Sequence, residues 1–252
     1  DAWNQACDQP NDDNCPVEDG PDFDFGAAVT YATDSAGTDY VIGGQKSGIV
    51  HALNPDTGEI IWQKRVGRGG IQGGIHFGMA VEGDHLFVPV SDGLDGREYP
   101  NPARPGLYAL NLQDGEFAWE SPAEDLCNGR FMCNPGISAA VTATPGLVFS
   151  GAMDGHMRIH DSGTGEVLWD YDTTVGFATL SGEPAHGGSF GGANGALVHN
   201  GMLYLNSGYG IYFHMPGNVL LAFEVAEDQA ETSSDTEAEA EAGADAEASE
   251  GN

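Results

Sequence analysis

The side chains best suited to chemistry are a lysine and two aspartates near the start of the chain. Lys46 stands in the turn sequence GGQKSG and is one of only two lysines among 252 residues. Asp22 and Asp24 stand in DFDF, where strand alternation would put both carboxylates on one face. A carboxylate can accept a proton, and an ammonium can stabilise developing negative charge. These residues are therefore the first candidates for a reactive site.

The elements that would position them are repeated. Four segments share a Gly turn and an alternating strand, and the first three continue into a second turn, a Glu and a strand ending in Trp: SGIVHALNPDTGEIIW (47–62), RPGLYALNLQDGEFAW (104–119), DGHMRIHDSGTGEVLW (154–169) and PGNVLLAFEV (216–225). Short strands with period-2 alternation and Gly-rich turns at this spacing are typical of β-propellers. The sequence predicts an all-β chain with about four blades of four antiparallel strands over 1–225.

The repeat distinguishes residues with a structural role from residues that are candidates for a reactive site. Trp62, Trp119 and Trp169 hold the same position in three copies, which predicts packing between neighbouring blades and not contact with a cofactor. Lys46 is not repeated, because the later copies have Ala103-Arg104 and Met153-Asp154 in place of Lys46-Ser47. The repeat therefore explains the tryptophans and leaves the lysine unexplained.

Charge and composition narrow the classes of partner. The formal net charge is −31, which argues against nucleic acid or an anionic membrane surface. No apolar run reaches membrane-spanning length. Residues 226–252 are rich in acids and lack aromatic or basic residues, so this segment is predicted to be a disordered tail.

The four cysteines form two local pairs, Cys7 with Cys15 and Cys127 with Cys133. Neither pair has the spacing of a metal site, and the eight histidines show no ligand spacing. Disulfides in an exported protein are favoured, since both pairs lie in loop-like sequence. Four unpaired thiols in a cytosolic protein are the alternative.

Several stretches together resemble one known family. They are GPDFDFGA (20–27), the repeat beginning GGQKSG (43–48), GGIHFGMA (73–80), the stretch 136–169, and NSGYGIYFHMPGNVLLAF (206–223). They are similar to the quinoprotein alcohol dehydrogenases, and most of all to the polyvinyl-alcohol dehydrogenase branch. Members of that family are eight-bladed propellers that hold pyrroloquinoline quinone (PQQ) and a metal ion on the central axis.

The resemblance implies roles for particular residues. Asp22 matches the catalytic base, and Lys46 matches the basic residue that contacts the quinone oxygens. Asp24, with Asp22, matches metal ligands for Ca²⁺ or another ion at the same site. His76 and Phe77 lie in a stretch that approaches the cofactor.

Ordinary structural roles remain as alternatives for three of these residues. Asp22 could be a turn residue before a strand, Phe77 a core residue, and His76 a satisfied polar residue. DAWN (1–4) also departs from the family pattern, because without the following insertion Asn4 and not Asp22 would align with the base.

The implied function is PQQ-dependent oxidation of an alcohol, with electrons passed to a cytochrome c and the protein in the periplasm or secreted. Because the family's metal-binding Glu and aromatic floor find no match here, the chain is expected to be the C-terminal half of a longer propeller. The rival from a different class is a non-catalytic propeller of the same type that serves as a binding or assembly scaffold.

Overall fold

The fold was analysed in a computed structural model that describes residues 23–70, 72–94, 96, 98–193, 195–210 and 212–226. Within these ranges all regular structure is β. Three successive four-stranded sheets are followed by a two-stranded hairpin and a three-stranded sheet. The strands are β1 (Thr30–Thr33), β2 (Asp39–Gly44), β3 (Ile49–Leu53), β4 (Ile60–Arg65), β5 (Ala80–Glu82), β6 (His85–Val90), β7 (Gly106–Asn111), β8 (Phe117–Pro122), β9 (Thr142–Thr144), β10 (Leu147–Gly151), β11 (His156–Asp161), β12 (Val167–Asp172), β13 (Gly176–Ala178), β14 (Pro184–His186), β15 (Leu197–His199), β16 (Met202–Ser207) and β17 (Val219–Glu224).

Each sheet is an antiparallel meander in which every strand pairs with its neighbours in the sequence. This arrangement confirms the predicted β-propeller, with blades formed by β1–β4, β5–β8, β9–β12 and β15–β17. The fourth blade has three described strands, and the β13–β14 hairpin lies between the third and fourth blades in the chain.

Alternating strand sequences bury one face of each blade against the next. In DYVIGG of β2 the buried residues are every second one, beginning at Tyr40. Buried clusters join the first blade to the second, the second to the third and the third to the fourth. Both faces of the second blade are covered, which is why LYAL at 107–110 is buried without a break.

The repeated tryptophans dock each blade onto the following one. Trp62 Nε1 donates to the carbonyl of Leu112 at 2.7 Å, and Trp119 Nε1 donates to the carbonyl of Ser162 at 2.9 Å. In both cases the acceptor lies three residues before a turn glycine, and the indole covers that glycine. The predicted role of these residues in packing between blades is confirmed.

Glycine is required beneath the indoles. A Cβ at Gly115 would lie 2.5 Å from the Trp62 ring, and a Cβ at Gly165 would lie 2.5 Å from the Trp119 ring. Trp169 docks differently, with its ring edge-to-face against Phe223 of the fourth blade at 5.3 Å between centroids. The turn of the first blade is open, because a Cβ at Gly58 would meet nothing within 4 Å.

The cysteine prediction is confirmed for one of its two pairs. Cys127 and Cys133 form a disulfide that closes the loop between β8 and β9. Cys7, Cys15 and all but the first residue of the predicted tail (226–252) lie outside the described residues. Within the described ranges, no helix has the length and apolar character needed to cross a membrane.

A matched pair of glycine substitutions tests the docking. Gly58 and Gly115 have φ of 73° and 71°, so alanine brings a similar backbone penalty of about 1–2 kcal/mol at each. Gly115→Ala should lower the free energy of unfolding by about 1–3 kcal/mol more than Gly58→Ala, because only Gly115 lies beneath an indole. Denaturant unfolding of both variants measures the difference. Equal losses would contradict the docking role of Gly115.

Candidate functional site

Three loops place equivalent residues beside the ends of the second strands of the first three blades. The backbone N–H of Ile75 donates to Gln45 O, that of Ile137 to Val90 O, and that of Phe190 to Ala152 O, at 3.0 to 3.2 Å. These bonds have the same place in each blade, so the residues that follow are structurally equivalent. They are His76, Ser138 and Gly191.

Two of these equivalent residues touch. His76 Nδ1 lies 3.2 Å from Ser138 Oγ across neighbouring blades. The His76 ring also lies against Phe77, with 4.1 Å between centroids. His76 therefore contacts a polar partner, yet it is held at a junction between blades, where a propeller can build a site.

Lys46 is buried beside this position, and its side chain is paired with Asp24. Its Nζ lies 2.9 Å from Asp24 Oδ1, and its backbone N–H donates to Asp24 O at 3.1 Å. Lys46 is 8% exposed, whereas the Asp24 side chain is 53% exposed. An ammonium that is buried needs a partner charge, and Asp24 supplies one from the segment that leads into β1.

The charge of Lys46 acts on His76. The pKa of His76 is lowered from its ordinary value to about 4, chiefly by burial and then by the nearby charge of Lys46, while Asp24 opposes the shift and His214 adds to it. His76 is therefore neutral at pH 7 and can donate or accept a hydrogen bond beside a fixed positive charge.

His214 brings a second imidazole to this region. It is 6% exposed, and its Nδ1 lies 2.6 Å from the carbonyl of Tyr212. A carbonyl only accepts, so Nδ1 donates this hydrogen bond. No described residue hydrogen-bonds the other ring nitrogen, Nε2. A Cβ on Gly191 would lie 2.5 Å from it, so glycine at this position makes room for the ring.

These residues form a polar cluster of Lys46, Asp24, His76, Ser138 and His214. The sequence predicted the first three, and the structure brings them together with Phe77 next to His76. Asp22 lies outside the described residues, so its role as base remains a prediction.

Sequence reasoning missed Ser138 and His214. Ser138 could have been found by aligning GIH (74–76) with GIS (136–138), which places it at the position of His76. His214 had no repeat to reveal it, because its position depends on how the loop after β16 folds back onto Gly191.

The cluster fits a quinone better than it fits a metal ion. A buried ammonium beside a neutral imidazole suits the oxygens of an anionic quinone. Among the described residues, no group of three or more His, Cys, Asp or Glu side chains is arranged to hold a metal. Of the two predicted metal ligands, only Asp24 is described, and it pairs with Lys46.

The architecture and the cluster together define a β-propeller with a buried polar site between its blades. Residues 46–199 match the family model described as "Outer membrane protein assembly factor BamB". The chain belongs to this family of β-propeller proteins.

Two similar proteins are polyvinylalcohol dehydrogenases. The chain is 40% identical over 228 residues to a polyvinylalcohol dehydrogenase from Pseudomonas sp, with 86% of this chain and 35% of that protein covered. It is 37% identical to the polyvinylalcohol dehydrogenase of Sphingopyxis sp. (strain 113P3), with 84% and 34% covered. The chain thus spans about a third of the length of these relatives and is homologous to them.

A solved structure supports the fold alone. BamB from Moraxella catarrhalis superposes with a TM-score of 0.51 at 18% identity, over 79% of this chain and 49% of that one. At this identity the similarity supports the propeller architecture and does not assign a role to any residue.

The lowered pKa of His76 predicts a pH dependence of stability. Between pH 6.5 and pH 4 the unfolded chain binds a proton at this residue that the folded chain does not, so stability falls as the pH is lowered through this window. The contribution of His76 amounts to about 3 kcal/mol across the window. His76→Gln should flatten the pH profile of unfolding by that amount.

The exposed His199 provides the control. His199→Gln should retain the slope of the unsubstituted protein between pH 4 and pH 6.5, measured by denaturant unfolding at each pH. If the His76→Gln profile coincides with those of the unsubstituted protein and His199→Gln, burial of His76 does not depress its pKa.

Proposed function

We propose that this chain forms part of a PQQ-dependent alcohol dehydrogenase of the polyvinyl-alcohol type. The observation that carries the proposal is Lys46, a buried ammonium in a polar cluster, and by sequence resemblance this residue matches the family's quinone contact. The identity of 37–40% to two polyvinylalcohol dehydrogenases supports it. A secondary alcohol or its polymer is the proposed substrate, and a carbonyl is the product.

Different residues of this chain would bind the cofactor and accept the proton of the alcohol. PQQ, when bound, supplies the two-electron acceptor for the hydride that leaves the carbinol carbon. Lys46 would supply the positive charge that stabilises negative charge developing on a bound quinone, and Asp24 pairs with that ammonium. His76, neutral at pH 7, would offer the cofactor a hydrogen bond.

The proton of the alcohol requires an acceptor. Asp22 is the proposed base and takes the hydroxyl proton as the hydride departs. Ca²⁺ is proposed as the accompanying ion, with Asp22 and Asp24 as its ligands from this chain. Because the described residues supply only Asp24, no step of the reaction is derived through the ion.

The same proposal implies an electron acceptor and a cellular compartment for the reaction. Electrons from the reduced cofactor would pass to a cytochrome c, and the protein would work in the periplasm or outside the cell. The Cys127–Cys133 disulfide is consistent with an oxidising compartment.

A second function is favoured by a separate observation. The matching family model is described as BamB, an assembly factor, and the fold agrees with a solved BamB structure. A scaffold that binds protein partners would use the blades without the cofactor. The two functions differ in whether the polar cluster binds PQQ.

Reconstitution distinguishes them. The protein expressed from its complete coding sequence should bind PQQ with Ca²⁺, measured by absorbance titration, and should oxidise butan-2-ol with a dye as electron acceptor. PQQ binding without turnover would contradict the dehydrogenase, and the absence of both would favour the scaffold.

Lys46→Met tests the residue that carries the proposal. Met153 occupies the equivalent position in the third blade. The same turn hydrogen bond closes both segments: Gly48 N–H donates to Gln45 O in the first blade, and Gly155 N–H donates to Ala152 O in the third. Methionine should therefore fit, with a stability change within about 1 kcal/mol because the paired Asp24 is half exposed. PQQ affinity should fall by about 10- to 100-fold with loss of a charge-assisted contact, and kcat by about 100-fold or more.

The other lysine provides the matched control. Lys64 pairs with Glu116 at 2.6 Å on β4, away from the cluster. Lys64→Met removes the same charge from the chain and should leave PQQ affinity and kcat unchanged. Equal effects of the two substitutions would show that Lys46 acts only through net charge.

A further inference from the structure

An apolar pocket lies among the loops that build the polar cluster. Its volume is about 260 Å³, and it is lined mainly by Leu94, Phe131, Met132, Met153 and Phe213. None of its lining side chains carries a charge. In a protein with a net charge of −31, an uncharged pocket of this size indicates a neutral ligand.

The rim of the pocket exposes large apolar side chains to solvent. Leu94 is 84% exposed, Phe131 83% and Phe213 70%. Clustered exposed apolar side chains mark binding sites on soluble proteins, because water around them is released when a ligand covers them. The three residues come from three separate loops, so the cluster is a product of the fold.

The loops that carry these residues are held in place. Phe131 and Met132 lie inside the loop closed by the Cys127–Cys133 disulfide. Arg130 fastens that loop to the third blade, since its guanidinium donates to Asp154 O at 3.2 Å and Thr174 Oγ1 at 2.9 Å. The pocket wall is thus pre-formed, as is usual for small-molecule sites.

Two residues of the wall adopt a conformation that favours glycine. Met132 has φ of 59° and Phe213 has φ of 55°. Side chains in this left-handed region persist where surrounding structure holds them, and they concentrate at functional sites. The strain lies in the residues that shape the pocket.

The same segments form the pocket and the polar cluster. Met153 is the structural equivalent of Lys46, and Phe213 precedes His214. Gln72 lines the pocket from the turn whose Gly70 N–H donates to Lys46 O. A molecule that reaches the cluster with its reacting group can therefore place an attached chain against the apolar wall.

We propose that this pocket binds the aliphatic chain of the alcohol whose carbinol group reacts at the polar cluster, which rests on the proposed function above. The pocket selects for neutral alcohols with an extended hydrocarbon chain over short ones. Each methylene that leaves water for the pocket should raise affinity about three- to fourfold. Leu94 and Phe213 are the specificity-determining residues.

The test measures binding and turnover separately across the series butan-2-ol to octan-2-ol. Dissociation constants are measured by ligand-observed NMR without added PQQ, and kcat/KM is measured on the reconstituted protein. Both should improve about three- to fourfold per methylene. Leu94→Ser and Phe213→Ser should each reduce this gain to below twofold per methylene.

A matched control is available at Leu180, which is fully exposed at 110% and does not line the pocket. Leu180→Ser should retain the chain-length dependence of the unsubstituted protein. The thermal unfolding of all three variants confirms that they fold, since each substitution removes a largely exposed side chain.

The outcomes separate this inference from the proposed function. Turnover whose chain-length dependence is unchanged in Leu94→Ser and Phe213→Ser would overturn the pocket and leave the dehydrogenase standing. Chain-length-dependent binding that requires Leu94 and Phe213, in a protein without turnover, would retain the pocket and remove the dehydrogenase. Self-association that Leu94→Ser abolishes, seen by sedimentation velocity, would make the patch an interface between copies and overturn the proposal.

Discussion

The stacking of an indole on a glycine turn is the interaction on which the rest of this structure depends. A blade of four strands has two faces and cannot bury both alone. Trp62 and Trp119 each cover the turn glycine of the next blade and donate a hydrogen bond to the carbonyl three residues earlier. This contact fixes the angle and the distance between neighbouring blades, and it therefore fixes where their second strands end.

The polar cluster follows from that fixed spacing. His76 and Ser138 lie on different blades and meet at 3.2 Å because equivalent positions of successive blades are brought together. The scaffold repeats, but the residues at the equivalent positions do not: one blade supplies an imidazole, the next a hydroxyl, and the third a glycine that admits His214. Repetition provides the geometry, and departures from it provide the chemistry.

Burial governs the electrostatics of the cluster. Lys46 is buried and lies 2.9 Å from Asp24, whereas His76, close to the same side chain, has its pKa lowered to about 4 and is neutral at pH 7. A fixed positive charge beside neutral hydrogen-bonding groups is an arrangement that suits developing negative charge on a ligand oxygen. The apolar pocket formed by the same loops supplies what the cluster lacks, a surface for the hydrocarbon part of a neutral molecule.

The sequence by itself determined the architecture. A period of two within strands, glycine turns and a tryptophan at the same place in three copies are local signals, and they predicted the blades and the docking of Trp62 and Trp119. Lys46 could also be singled out, because it breaks the repeat. His76 could not be singled out in this way, since one histidine in a glycine-rich stretch is as easily explained by packing.

Only the tertiary structure decided which residues meet. Ser138 is 62 residues from its partner His76, and His214 reaches Gly191 through a loop that follows a different strand. The left-handed conformations of Met132 and Phe213 likewise have no signature in their side chains. Contacts of this kind arise from the angle between blades and the paths of long loops, which depend on the whole set of packed sheets and not on any one stretch of sequence.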